Sequence, residues 1–260
     1  MLERWIAGLG GALLVAVAPA SAQLDQRALL SRIDTDLFGL PAPASLGDPL
    51  RLWATWYHVP IVDAIPDGFP LLNVAGQPIS PRVPGRDWCL GALQGVIAIK
   101  AGDGTMKTYT YETTAHTEEL DCGEYFKRPQ APWTRAAGHS RFDVSKGPFG
   151  DGAGGYQVVP FRSLAVDSKV IPLGTVLFVP AARGVEVTLP SGRKVRHDGC
   201  FFAADRGGGI KENHVDVFVG HWAENPFPTF VSSTPSRTFE AYRVSDERVR
   251  PHLHRLHAYD

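Results

Sequence analysis

A mostly β chain, a barrel or a sandwich interrupted by a large irregular insertion, is predicted by three observations. The final third is a succession of short alternating or apolar runs, among them YQVVPFRSLAVD, VIPLGTVLFVP, GVEVTL and TFEAYRV, set between Gly, Pro and Asp turns. An earlier run, LWATWYHV at Leu52 to Val59, has the aromatic and β-branched content of a strand. Between them, residues 60 to about 155 are broken by Pro60, Pro66, Pro70, Pro78, Pro81 and Pro84 and carry scattered turn chemistry. Closure into a barrel would hide the edges of so many short strands.

Taken in order, the chain opens with Arg4, an apolar run from Trp5 to Val17 and the small-x-small triplet Ala20-Ser21-Ala22 before Gln23. This reads as a signal peptide over residues 1–22, removed on export, because the run is broken by glycine and short for a membrane span. The expected location is therefore secreted or periplasmic, in the cell envelope, with no stable membrane insertion after cleavage. Residues 23–50 have some helical character and then a Pro-rich stretch, and read as an arm or linker. The insertion should hold its own small sheet. Its strands are GVIAIK at Gly95 to Lys100 and MKTYTYETT, joined by the hairpin signal Gly102-Asp103-Gly104. Pro190-Ser191-Gly192 marks a later hairpin, and the tail RPHLHRLHAYD reads as a short helix with surface histidines.

Three cysteines, Cys89, Cys122 and Cys200, allow at most one internal pair in an oxidising compartment. Cys89 with Cys122 is the expected pair, since both lie in the irregular region. Their spacing is not that of a zinc site, and no metal and no cofactor is expected. With 26 basic and 27 acidic residues the formal charge is −1, which provides no footprint for nucleic acid. A neutral polymer or small molecule suits this balance better.

The candidate chemistry lies in HDGCFFAADRGGGIKENHVDVFV, from His197 to Val219. Phe201 to Ala204 read as a buried strand delivering Asp205 into a turn of Gly207, Gly208 and Gly209, glycines that let the backbone adopt conformations closed to other residues or approach another chain or ligand closely. In the second run, alternation places Val215, Val217 and Val219 on one face and Asp216 and Phe218 on the other. A carboxylate among β-branched residues must be partnered or line a cleft. Asp167, which ends SLAVD, is a third carboxylate in a similar setting, so the three together form a candidate acidic cluster.

The strings AVDSKVIPLGT and AADRGGGIKENHVDVF resemble the "3D" domain, named for three aspartates, of membrane-bound lytic transglycosylase A and of smaller muralytic proteins in spore-forming bacteria. The resemblance is strong from about Phe161 to Gly220 and weaker at LWATWY. It implies a six-stranded double-psi β-barrel over residues 51–260, interrupted by the insertion at about 60–155, with the aspartates along an open groove. By position it implies Asp216 as catalytic acid/base, Asp205 as supporting carboxylate and Asp167 as the first of the three. Gly207, Gly208, Lys211 and Asn213 are the expected substrate-binding positions. The implied reaction is cleavage of the β-1,4 bond between N-acetylmuramic acid and N-acetylglucosamine in peptidoglycan, giving 1,6-anhydromuramyl products. Residues 60 to 155 show no match to the family's second domain.

Other readings stand beside this one. A β-glucan hydrolase of the family 45 type would use a second carboxylate to direct water. Expansin-like proteins share the barrel and bind wall glycan without cutting it. Aspartates at strand ends also cap turns with no catalytic part, and this applies to Asp167 above all. His197, Asp198 and His214 beside Asp205 and Asp216 do not have the spacing of a closed ligand set.

Overall fold

In the computed structural model, residues 33, 36 and 38–259 are described, apart from 130 and 223. The expected signal peptide and nearly half of the expected arm lie outside the described residues.

The first strand, β1 (Leu46–Tyr57), begins six residues before the expected Leu52. Pairing, which composition does not display, sets its start: residues Leu46 to Leu52 are drawn into an antiparallel ladder with a strand near the end of the chain. From Pro60 the chain enters the insertion. There β2 (Ile61–Asp63), β5 (Val96–Lys100), β6 (Met106–Thr114) and β7 (Ser140–Val144) form a four-stranded sheet, while β3 (Phe69–Leu72) and β4 (Pro78–Val83) form a separate hairpin. Three short helices pack beside them: α1 (Gly85–Gln94), α2 (Cys122–Phe126) and α3 (Pro132–Gly138). The β5–β6 turn falls at Gly102 to Gly104, where Asp103 accepts hydrogen bonds from the Thr105 amide and hydroxyl. A core of its own, including Trp88, Ile97, Tyr109 and Phe142, holds this unit together. A Cys89–Cys122 disulfide ties α1 to α2, and Cys200 is a buried free thiol.

After the insertion come β8 (Ser163–Val166), β9 (Val176–Phe178), β10 (Glu186–Thr188), β11 (Lys194–Arg196), β12 (Cys200–Asp205), β13 (His214–Phe218) and β14 (Phe239–Val244). Six strands close into a ring in the order β1-β13-β8-β12-β9-β14, with β10 and β11 left outside as a two-stranded hairpin. The long runs read from sequence shorten to three to six residues here, since only those residues find a ladder partner. Two pairs in the ring, β1 with β13 and β8 with β12, are parallel. Alternation sorts the side chains: Ala54, Leu164, Phe201, Val215 and Val217 join one apolar cluster, and Tyr57, Ala165, Phe202 and Phe218 join another.

The second cluster also takes in Leu253 and Leu256 of the C-terminal helix α4 (Arg250–His257). His257, expected at the surface, is fully buried instead, because its ring fills space against Phe202 and finds partners in the Leu253 carbonyl and the Ser163 hydroxyl. Burial holds it neutral, with its pKa lowered to about 3. The middle of the expected arm is likewise docked, at Asp36 and Phe38. Arg162, with no exposed surface, pairs with Asp36 at 2.7 Å and Asp198 at 2.6 Å, and stacks over the Phe38 ring at 3.8 Å. Both carboxylates stay ionised: burial pushes the Asp36 and Asp198 carboxyls up, but the guanidinium more than offsets it and leaves them below the ordinary value.

Candidate active site

Four adjacent strands bring one row of side chains together. Thr55 on β1 registers with Asp216 on β13, Asp216 registers with Ala165 on β8, and Ala165 registers in turn with Asp205 on β12. Residues directly opposite in a ladder share a face, so both aspartates and Thr55 point to the same side with only the Ala165 methyl between the carboxylates. A bulge between Ala203 and Asp205 makes this possible. It shifts the register by one residue and carries Asp205, rather than Ala204, level with Ala165.

β1 supplies the partners. Its alternation sets Trp53, Thr55 and Tyr57 on the face of the row, and the parallel register places each beside a residue of β13. The Thr55 hydroxyl donates to Asp216 Oδ1 at 2.7 Å and lies 2.8 Å from His214 Nε2. Trp53 stacks flat on the His214 ring, with centroids 3.5 Å apart and planes 5° apart. The Tyr57 hydroxyl donates to Asp205 Oδ2 at 2.9 Å, while the Arg206 amide donates to Asp205 Oδ1 at 2.8 Å.

The electrostatics follow from this packing. Burial lifts the Asp216 carboxyl to about 6; the Thr55 hydrogen bond opposes the rise and the charge of Asp205 adds to it. Burial also lifts Asp205 to about 6, against the pull of the Arg206 amide, the Tyr57 hydroxyl and the Arg206 charge. Tyr57 is raised well above its ordinary value by burial and by the charges of both aspartates, which places its hydroxyl within the field of the pair. His214 is lowered by burial, with the Gly209 backbone acting in the other direction.

Asp167 stands apart from the pair. Its Oδ1 accepts from the Lys169 amide and its Oδ2 from the Glu212 amide, and these bonds hold it below the ordinary carboxylate value. It therefore fastens the 206–213 loop to the end of β8. None of Gly207, Gly208 and Gly209 takes a positive φ; the left-handed residue of this loop is Glu212, at φ 55°. The expectation of unusual glycine backbone is corrected on that point. Open space surrounds the Cα atoms of Gly208 and Gly209, and a Cβ on Gly207 would meet the Ile210 side chain at 2.8 Å. Lys211 is exposed, and the Asn213 side chain donates to the Arg51 carbonyl while the Asn213 backbone carbonyl accepts from the Trp53 amide.

Thr55, Tyr57 and Trp53 are the site residues that sequence reasoning missed. The alternation of LWATWYHV sets them on one face, but nothing local says that this face lies against Asp216. Among the described residues no group of three or more His, Cys, Asp or Glu side chains is placed to hold a metal ion.

A closed β ring presenting two raised carboxylates in one row defines the class: a carboxylate-bearing β-barrel. Within it, residues 162–225 match the family model of the 3D domain. The chain is similar in fold to E. coli MltA crystallised with bound chitohexaose, at 16% identity over 74% of this chain and 71% of that one, with a TM-score of 0.51. It is also similar to a membrane-bound lytic murein transglycosylase from Agrobacterium tumefaciens, at 15% identity over 87% of this chain and 94% of that one, with a TM-score of 0.50. At these identities the likeness is one of fold. No curated protein sequence matches the chain.

Proposed function

We propose that this chain is an exported lytic transglycosylase that cleaves the β-1,4 bond between N-acetylmuramic acid and N-acetylglucosamine in peptidoglycan, with Asp216 as acid/base. The observation that carries the reading is the row Thr55-Asp216-Ala165-Asp205, in which a carboxyl raised to about 6 stands on the barrel face beside a second one. The 3D-domain match and the fold shared with a lytic murein transglycosylase support the same reaction. We read the ring, with its two parallel pairs, as a double-psi β-barrel whose first strand starts at Leu46 and which the insertion at about 60–155 interrupts. Residues 1–22 are its signal peptide, and the mature protein works in the cell envelope.

In this mechanism Asp216, protonated, gives its proton to the glycosidic oxygen as the bond from that oxygen to the muramyl C1 breaks. The resulting carboxylate then takes the proton of the muramyl C6 hydroxyl, whose oxygen closes on C1. The product is the 1,6-anhydro sugar, no water enters, and the acid is regenerated. One group suffices for both steps, and a carboxyl near 6 keeps a working fraction protonated at neutral pH. Asp205 raises Asp216 through its charge, and Asp167 braces the loop that carries Gly207, Gly208, Lys211 and Asn213 toward the glycan.

The test is mass spectrometry of products after incubating purified peptidoglycan with the mature protein and with Asp216→Asn. Anhydromuropeptides from the wild type alone are expected. Reducing-end muropeptides would instead identify a hydrolase, and no soluble product from either would leave wall binding without cleavage.

A further inference from the structure

We propose that His214 is a positioning residue for the Asp216 acid: held as the Nε2–H tautomer, it fixes the Thr55 hydrogen on Asp216 Oδ1 and so leaves the acid proton on Oδ2. This rests on the reading of Asp216 as the acid/base. The argument is a count of hydrogens. Thr55 has one hydroxyl hydrogen and two close partners, Asp216 Oδ1 at 2.7 Å and His214 Nε2 at 2.8 Å. An ionised Oδ1 can only accept, so Thr55 donates to it. The Thr55 oxygen must then accept from His214 Nε2–H.

The tautomer matters for the direction of the acid. With the hydrogen on Nδ1 instead, Nε2 becomes an acceptor and the Thr55 hydrogen turns toward His214. Oδ1 loses its donor, and a protonated Asp216 is drawn to place its hydrogen on Oδ1, toward Thr55 and away from the glycan. With Nε2–H, Oδ1 is occupied in both protonation states. Oδ2 has no hydrogen-bond partner among the described residues, which leaves it for substrate.

The ring is built to hold its place. His214 is 8% exposed, and it is clamped by the flat stack of Trp53, its own register partner on β1. The groups facing Asp216 are Thr55 and Tyr57 from β1, Ala165 from β8, Asp205 from β12 and His214 on its own strand; Arg206 acts on Asp205. Among the described residues only Asp216 and His214 hydrogen-bond the Thr55 hydroxyl; the Gly209 backbone acts on the His214 ring as well, and a hydrogen given to it from Nδ1 is the competing tautomer.

The experiment compares the wild-type mature protein with His214→Leu and His214→Gln. Glutamine can donate an N–H to Thr55 but cannot titrate. His214→Leu should lower kcat about tenfold with KM unchanged, and move the basic limb of the pH profile upward, because Thr55, no longer accepting an N–H, is a less polarised and weaker donor to the charged Asp216 Oδ1. His214→Gln should restore most of both. In parallel, NMR of the wild type should show His214 as the Nε2–H tautomer at pH 7, and the Asp216 carboxyl should titrate at higher pH in His214→Leu. An Nδ1–H tautomer, a leucine variant indistinguishable from wild type, or a glutamine variant as impaired as the leucine one overturns the proposal. If the wild type forms no anhydro product, the transglycosylase reading fails, while the tautomer and the Asp216 titration still decide the relay.

Discussion

Asp205 and Asp216 register against the same residue, Ala165, from opposite sides of β8. With neighbouring strands about 4.8 Å apart, their Cα atoms are set roughly 10 Å from each other, and only a methyl group separates the two side chains. The size of residue 165 therefore governs the space between the carboxylates. Ala165→Leu should remove activity by filling that space and should lower stability by about 1–3 kcal/mol through overpacking, since the position is 4% exposed. Ala165→Ser should keep activity. Product assays and urea unfolding of the two variants check this, and an active leucine variant would show that the row does not meet the substrate.

A raised carboxyl also has a stability signature. Asp216 titrates near 3.8 when unfolded and at about 6 in the folded chain, so the folded state binds more protons in between, and stability falls as pH rises through that window. Asp216→Asn, which cannot ionise, should therefore be more stable than wild type at pH 8. We expect a gain of ~1–2 kcal/mol, set below the full linkage value because the side chain is only partly buried. The gain should shrink toward zero as pH approaches 4. Thermal unfolding of both proteins between pH 4 and 8 measures it, and equal stability at pH 8 would mean that burial does not raise this group.

The buried Arg162 pins residues from two other parts of the chain, Asp36 and Asp198. Arg162→Ala should destabilise the fold by about 3–5 kcal/mol, because it leaves Asp36 and Asp198 buried without their counter-charge. Their carboxyls lie below the ordinary value, so the stability they contribute is present above about pH 4 and is lost as pH falls further. His197 and His257 add to acid sensitivity. Both are buried neutral with pKa lowered to about 3, so stability declines as pH falls from the unfolded value of 6.5 toward that point. Unfolding midpoints across pH 3 to 7 should show both slopes in the wild type, with the carboxylate component gone in Arg162→Ala.

The Cys89–Cys122 bridge closes a separation of 33 residues across the insertion. Its removal in the Cys89→Ala, Cys122→Ala double variant should cost ~3–4 kcal/mol of stability in that unit. The barrel row is built from other strands and should keep its geometry. Hydrogen exchange is the appropriate readout: protection should fall in β5 and β6 and persist in β12 and β13.

Much of this molecule was legible in one dimension. The runs Phe201 to Ala204 and Val215 to Val219 follow from local apolar content and alternation, and strands appear there within a residue at each end, at Cys200–Asp205 and His214–Phe218. Asp205 and Asp216 are conspicuous because a carboxylate at such a position needs a reason. The β5–β6 hairpin and the Cys89–Cys122 pair also follow from nearby residues. Periodicity reports which side of a strand a residue occupies, but it does not report which strand lies next to it. Parallel pairing of β1 with β13 joins residues 161 apart, and that pairing alone turns Thr55 into a partner of Asp216. The bulge at Ala204 decides that Asp205 reaches the same row, and the docking of Asp36 and His257 depends on surfaces that exist only after the ring has closed. The sequence by itself determined which carboxylates are candidates and which way each strand faces, because those are local properties of the chain. Only the tertiary structure decided the neighbours, the hydrogen bonds and the burial that raises the two carboxyls, because register and desolvation arise between segments distant in sequence.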